Sequence, residues 1–209
     1  MPFTIGSVGR PINGLQVKIG DNDEILLKGS TITPGYYKRD AVNKEAFTED
    51  GFFRTGDAGY IKNGELFLTD RIKDLFKTSN GKYIAPQMIE SLLLVDKFID
   101  QVVVIANERK FVSALIVPEF RLVEEWAKDH GVEFETREDL CANAKVHKMM
   151  MDRIQTLQQQ LAHYEQIKRF TLIAHHFSME SGELTNTLKI RRPVIYKNFK
   201  EVIDKMYEE

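Results

Sequence analysis

The chain has 209 residues, with 29 basic against 31 acidic side chains and a formal charge of −2. That length suits one large or two small domains and needs no metal or disulfide staple. The near-neutral charge gives no electrostatic ground for binding nucleic acid. The single cysteine, Cys141, excludes an internal disulfide framework and fits a reducing compartment. With no supporting motif around it, it reads as a small half-buried side chain. No apolar run approaches the roughly 18 residues that span a bilayer, and Met1 to Gly6 has no basic region followed by an apolar stretch. A cytoplasmic chain is expected.

The first part reads as short antiparallel strands. Leu15, Val17 and Ile19 alternate with polar residues, and Asp21 to Glu24 turns the chain into Ile25 to Lys28. Gly29, Pro34 and Gly35 mark a loop, Ala41 to Phe47 a short helix, and Gly51 to Phe53 another extended piece. Tyr60 to Thr69 is a hairpin around Asn63-Gly64, a pair suited to the positive φ angles of a type I′ turn. Further on, Phe76 to Thr78 and Lys82 to Ile84 flank Ser79-Asn80-Gly81, a second hairpin signal. Pro86 suits a first helical turn. Val102 to Ala106 and Phe111 to Val117 predict strands, with helical spacing at Leu122, Val123, Trp126 and Ala127. Val146, Met150, Ile154, Leu157 and Leu161 predict one longer helix. Phe170 to Ala174 reads as a strand, and Pro193 opens a last helix with Ile195, Phe199, Val202, Ile203 and Met206 on one face. This is an α+β pattern: a β-rich segment over 1–69, a short joint over 70–75, and an α+β domain over 76–209.

Asp57, on the turn Thr55-Gly56-Asp57, is a carboxylate that can accept hydrogen bonds from both hydroxyls of a ribose. Arg71 and Lys73, in Asp70-Arg71-Ile72-Lys73-Asp74-Leu75, share a side if that stretch is extended; the plain alternative is a solvated linker. Lys189 heads a cluster with Arg191 and Arg192. A lysine can stabilise charge developing on a phosphate during acyl or nucleotidyl transfer, whereas a basic helix N-terminus is the bland reading. His175 and His176 are adjacent and His147 and His163 lie elsewhere, so structural histidines are expected and no metal site.

In order along the chain, these pieces form a known series. Gly29 to Tyr37 resembles the "GxxxxxGYY" strand and loop of the adenylate-forming (AMP-binding) enzymes, the superfamily of acyl-CoA synthetases, luciferases and peptide-synthetase adenylation domains. Asp50-Gly51-Phe52-Phe53-Arg54-Thr55-Gly56-Asp57 resembles its "DGWFxTGD" motif. Asp70 to Lys77, with Gly81 to Pro86 and Glu90, resembles its hinge and following glycine loop. The likeness starts at Gly6-Ser7-Val8-Gly9-Arg10-Pro11 and covers essentially the whole chain. The "DRxKDL" hinge and Leu184-Thr185-Asn186-Thr187-Leu188-Lys189 look most like long-chain fatty-acyl-CoA synthetases.

The resemblance implies a β subdomain ending a large adenylate-binding domain, then a mobile lid with a mixed sheet flanked by helices. It implies that Asp57 holds the adenosine ribose, with Arg71 as a second nucleotide contact. Lys73 would be the hinge pivot, Lys189 the adenylation lysine, and Gly81 part of the loop that admits pantetheine for thioester formation. Leu188 stands where the broad family has glycine. ATP, Mg²⁺ and CoA are implied for the whole enzyme, with fatty acid as the other substrate. No phosphate loop and no Tyr-Gly-x-Thr-Glu segment with its Mg²⁺-holding glutamate occur in the chain. The expectation is therefore a C-terminal piece, inactive without the missing N-terminal domain.

Three alternatives stand beside this reading. One is another acid activator (aryl, short-chain or amino-acid). Another is a stand-alone regulatory domain without catalysis. The third concerns the helix from Val146 to Leu161, whose Lys145, Lys148 and Arg153 would allow a weak peripheral membrane contact, although core packing is its expected role.

Overall fold

The computed structural model describes residues 4–208. They form two compact units, one running to Leu75 and the other starting at Phe76. The first holds a four-stranded antiparallel sheet in the order β1–β2–β3–β4, made of Leu15–Ile19, Glu24–Gly29, Phe53–Lys62 and Glu65–Arg71. Asn63 (φ 53°) and Gly64 (φ 78°) make the β3–β4 turn as their sequence requires. A short helix, α1 (Asp40–Ala46), lies between β2 and β3, and Phe47 then bridges to Phe53. Among the described residues of this unit, Ile25, Leu26, Ala58 and Phe67 are the buried hydrophobics, while Tyr37, Tyr60, Ile61 and Leu68 are exposed.

The second unit opens with a small hairpin, β5 (Phe76–Lys77) and β6 (Tyr83–Ile84), followed by α2 (Pro86–Leu93). Its main sheet has the order β7–β8–β9, from Ile99–Ile105, Val112–Pro118 and Ile167–Leu172. β7 and β8 are antiparallel, β8 and β9 parallel, so the sheet is mixed. A parallel neighbour requires a long crossover, here α3 (Phe120–Asp129), α4 (Arg137–Ala142) and α5 (Ala144–Leu157). Every residue of β8 is buried, as expected for a central strand covered on both faces. Two last helices, α6 (Arg192–Asn198) and α7 (Lys200–Lys205), complete the unit. The α+β class therefore holds, with an antiparallel sheet followed by a mixed sheet flanked by helices.

Several details differ from the periodicity. α4 is capped by a reciprocal Thr136–Asp139 box too short to show as a hydrophobic period. The long helix stops at Leu157, and the buried Gln158 side chain both accepts from Ile167 N–H (2.8 Å) and donates to Ile167 C=O (3.2 Å). That amide clasp starts β9 three residues before Phe170, where exposed Lys168 and Arg169 hid the strand. The last helix breaks at Phe199 (φ −108°, ψ 21°), which is buried against the rings of His175 and Phe177. α5 turns Val146, Met150 and Ile154 fully into the core, each such side chain worth about 1.5–3 kcal/mol. No helix among the described residues is long and apolar enough to cross a membrane.

Candidate functional site

In the first unit, two irregularities aim Asp57. On one side, Glu24 faces Ala58 while Leu26 faces Arg54, so β3 carries extra residues around Thr55 and Gly56. Gly56 takes φ 70° there, a geometry that suits glycine. Thr55 Oγ1 donates to Ile25 C=O (2.7 Å) and accepts from Asp57 N–H (3.1 Å). Glu24 accepts from Gly56 N–H (3.2 Å) and from Arg54 (2.8 Å). The hydroxyl and this carboxylate stitch the bulge closed, which the sequence pattern did not disclose.

On the other side, Gly59 faces Leu68 whereas Ala58 faces Asp70, which leaves Thr69 as an extra residue in β4. A continuous ladder would set Asp57 opposite Asp70, two like charges. The bulge advances the register by one and sets Asp57 opposite Arg71 instead. Arg71 Nε then lies 3.4 Å from Asp57 Oδ1, with the two side chains 63% and 36% exposed. The pair is a solvent-facing carboxylate with a cation alongside, able to accept hydroxyls and to meet an anion. Lys73 lies next in a single 3₁₀ turn, Ile72–Asp74, and is exposed.

In the second unit, the Gly81 loop is tied to the β7–β8 turn. Ser79 N–H donates to Arg109 C=O (3.0 Å), Glu108 N–H to Lys77 C=O (2.8 Å) and Asn80 Nδ2 to Lys110 C=O (3.3 Å). Gly81 is exposed at φ 77°, and among the described residues no atom beyond its chain neighbours lies within 4 Å of where its Cβ would be. The loop therefore leaves open space beside its backbone.

Lys189 sits on a tight hairpin closed by the Leu184–Ile190 bridge. Thr185 N–H donates to Lys189 C=O (2.8 Å), and Lys189 N–H donates to Thr185 Oγ1 (3.0 Å). Leu188 adopts φ 58° and is 68% exposed, so it keeps the left-handed backbone that a glycine would favour. The Lys189 side chain is exposed and its ammonium has no hydrogen bond or ion pair among the described residues. Its backbone is thus fixed while its head group is free to move. The three clustered cations separate: Arg191 is exposed, while Arg192 turns inward onto Glu90. That partition is invisible in a basic tetrapeptide.

Other candidate groups are structural. Burial is the main cause that pushes the Cys141 thiol up to about 11. His175 stacks on Phe199, His176 reaches Asp100 (3.3 Å), His147 stacks on Phe170 and His163 meets Lys168. Among the described residues no group of three or more His, Cys, Asp or Glu is placed to hold a metal ion.

Residues 73–209 match the family model of the AMP-binding enzyme C-terminal domain. The chain belongs to the AMP-binding, adenylate-forming enzyme family. It is 31% identical over 215 residues to the long-chain-fatty-acid–CoA ligase FadD15 of Mycobacterium tuberculosis, covering 98% of this chain and 34% of that protein. Human long-chain-fatty-acid–CoA ligase 1 is 34% identical over 220 residues, covering 98% of this chain and 31% of the relative. The chain thus spans about a third of the length of these curated relatives. Among solved structures, the A domain of a carboxylic acid reductase from Segniliparus rugosus, in complex with AMP and a co-purified carboxylic acid, superposes with a TM-score of 0.62. It is 26% identical, covering 88% of this chain and 28% of that one.

Proposed function

We propose that this chain supplies the ribose contact, hinge and mobile lid of an acid–thiol ligase that activates long-chain fatty acids in the cytoplasm. In the first half-reaction the fatty carboxylate attacks the α-phosphate of ATP, the bond to the β-phosphate breaks, and acyl-AMP and pyrophosphate result. In the second, the CoA thiol attacks the acyl carbonyl, loses its proton, and displaces AMP. Asp57 would accept the ribose hydroxyls and Arg71 would steady that carboxylate and meet the nucleotide. Residues 1–69 would close the large domain, 76–209 would form the lid, and Lys73, in the 70–75 stretch, would be the pivot. Lys189 would stabilise charge between acyl carboxylate and α-phosphate, and the Gly81 loop would leave room for pantetheine in the second step.

The observation that carries this is Lys189: an ammonium without a partner among the described residues, on a hairpin whose backbone is pinned, in a family that forms adenylates. The phosphate cradle, the acyl pocket and any Mg²⁺ ligand would belong to the rest of the complete ligase. For α5, the burial of Val146, Met150 and Ile154 favours core packing over a weak peripheral membrane contact. The long-chain preference draws on the relatives named above.

The test is Lys189→Ala in the complete ligase, with the two half-reactions assayed separately. Loss of one positioned charge stabiliser costs about 10²–10³ in rate, expected here in adenylation, with thioester formation from supplied acyl-adenylate spared. Equal losses in both steps would make Lys189 a structural residue. The 209-residue chain alone should form neither hydroxamate from fatty acid, ATP and hydroxylamine nor thioester from fatty acid, ATP and CoA.

A further inference from the structure

Arg192 opens α6 only three residues after Lys189, and its guanidinium is directed into the second unit. Nη1 and Nη2 donate to Glu90 Oε1 and Oε2, each at 2.9 Å, between side chains only 21% and 8% exposed. Glu90 Oε1 also accepts the Val104 N–H at 2.8 Å, and Arg192 Nη1 reaches the Val104 C=O at 3.4 Å. β7 is an edge strand, so these backbone groups have no further strand to pair with. The ion pair takes both, one from each partner, and so stands in for a missing strand. The same guanidinium lies 5.1 Å from the centre of the Phe76 ring, at the entry to the Gly81 hairpin.

We infer that Arg192, locked by Glu90, is the positioning residue for Lys189. The assignment rests on the catalytic role proposed above for that lysine. The incoming leg has an anchor of its own at Glu183, which also meets the outgoing leg once, at the Arg191 N–H. The buried Glu183 accepts Ser181 Oγ (2.7 Å) and Asn198 Nδ2 (3.2 Å) on its carboxylate, and Arg191 N–H (2.8 Å) on its carbonyl. Arg192 anchors the outgoing leg to the β7 edge and to α2. Three residues of chain span at most about 10 Å, so rotation or loss of the guanidinium is transmitted to the Lys189 backbone. The fork is planar, donates to both carboxylate oxygens at once and cannot swivel about a single contact. A lysine would place one point charge there and leave the direction of the leg unset. One junction therefore ties the Lys189 hairpin to β7 and to α2, the helix that follows the Gly81 hairpin.

Hydrogen exchange of the intact 209-residue chain tests the anchor without reference to activity. In Arg192→Gln, amides of residues 184–191 should exchange about tenfold faster, the scale of one lost charge-assisted contact, while β8 amides keep their wild-type rates. Should that variant fail to fold, the paired change Glu90→Met with Arg192→Leu removes both charges, which cores tolerate far better than one orphaned charge. It should show the same selective loosening. An unchanged hairpin, or equal acceleration in β8, overturns the inference. In the complete ligase, Arg192→Lys should slow adenylation and spare thioester formation from supplied acyl-adenylate, and equal loss in both steps also overturns it. If Lys189→Ala leaves adenylation intact while the exchange result stands, the anchor survives and the catalytic role of Lys189 falls.

Discussion

Gly59→Ala probes the geometry that pairs Asp57 with Arg71. A Cβ at residue 59 would lie 2.2 Å from the Phe67 carbonyl oxygen and 2.7 Å from Ile25 Cδ1, both inside the 3.0 Å that real contacts respect. The Ile25 methyl can rotate away; the carbonyl belongs to the facing strand and cannot. Relief would part β3 and β4 by about 1 Å from a normal spacing of about 4.8 Å, enough to break ladder hydrogen bonds beside the Thr69 bulge. Overpacking costs about 1–3 kcal/mol and each lost bond about 0.5–1.5 kcal/mol, giving a total of about 2–4 kcal/mol. For a unit of this size, that lowers the melting temperature of the first sheet by about 10–25 °C. Two-dimensional NMR follows it through the Asp57 and Arg71 amides. Fluorescence of the single tryptophan, Trp126, follows the second unit and separates a local effect from general unfolding. Loss below about 0.5 kcal/mol, the range of a neutral surface change, would refute the close approach of these strands.

Two further outcomes follow from local geometry. Leu188→Gly should stabilise the second unit by about 0.5–1 kcal/mol: left-handed backbone costs leucine about 1–2 kcal/mol, and glycine's extra unfolded freedom returns about 0.5–1 kcal/mol. Calorimetry showing a lower melting temperature would mean that the exposed Leu188 side chain makes contacts that outweigh the strain. Cys141 should resist thiol reagents in the folded chain at pH 8 and react freely in denaturant, because burial pushes its thiol from 9.0 up to about 11. With the folded value raised, the associated stability is complete below pH 9.0 and declines as pH rises toward 11. Equal labelling rates in the folded and unfolded chain at pH 8 would contradict that burial.

Much of the fold and of the candidate site's local geometry was legible as pattern, because pattern and local geometry share one cause. Asn63-Gly64 makes its turn since few other pairs accept two positive φ angles. Val112 to Pro118 is a buried strand since a central strand must be apolar on both faces. The helix of Val146, Met150 and Ile154 ran too long in the periodicity because nothing in Leu161 says that Gln158 will clasp Ile167 across the turn. Arg191 and Arg192 were one basic cluster on paper.

The ordered motifs, the α+β class and the residues able to do chemistry follow from residue type and spacing alone. Which charges meet depends on the packed fold. A bulge at Thr69 exchanges Asp70 for Arg71 opposite Asp57, and a β edge far along the chain draws Arg192 inward while Lys189 remains free. Register and burial are set by contacts between distant segments. A one-residue slip reverses the sign of a pair without changing any local propensity.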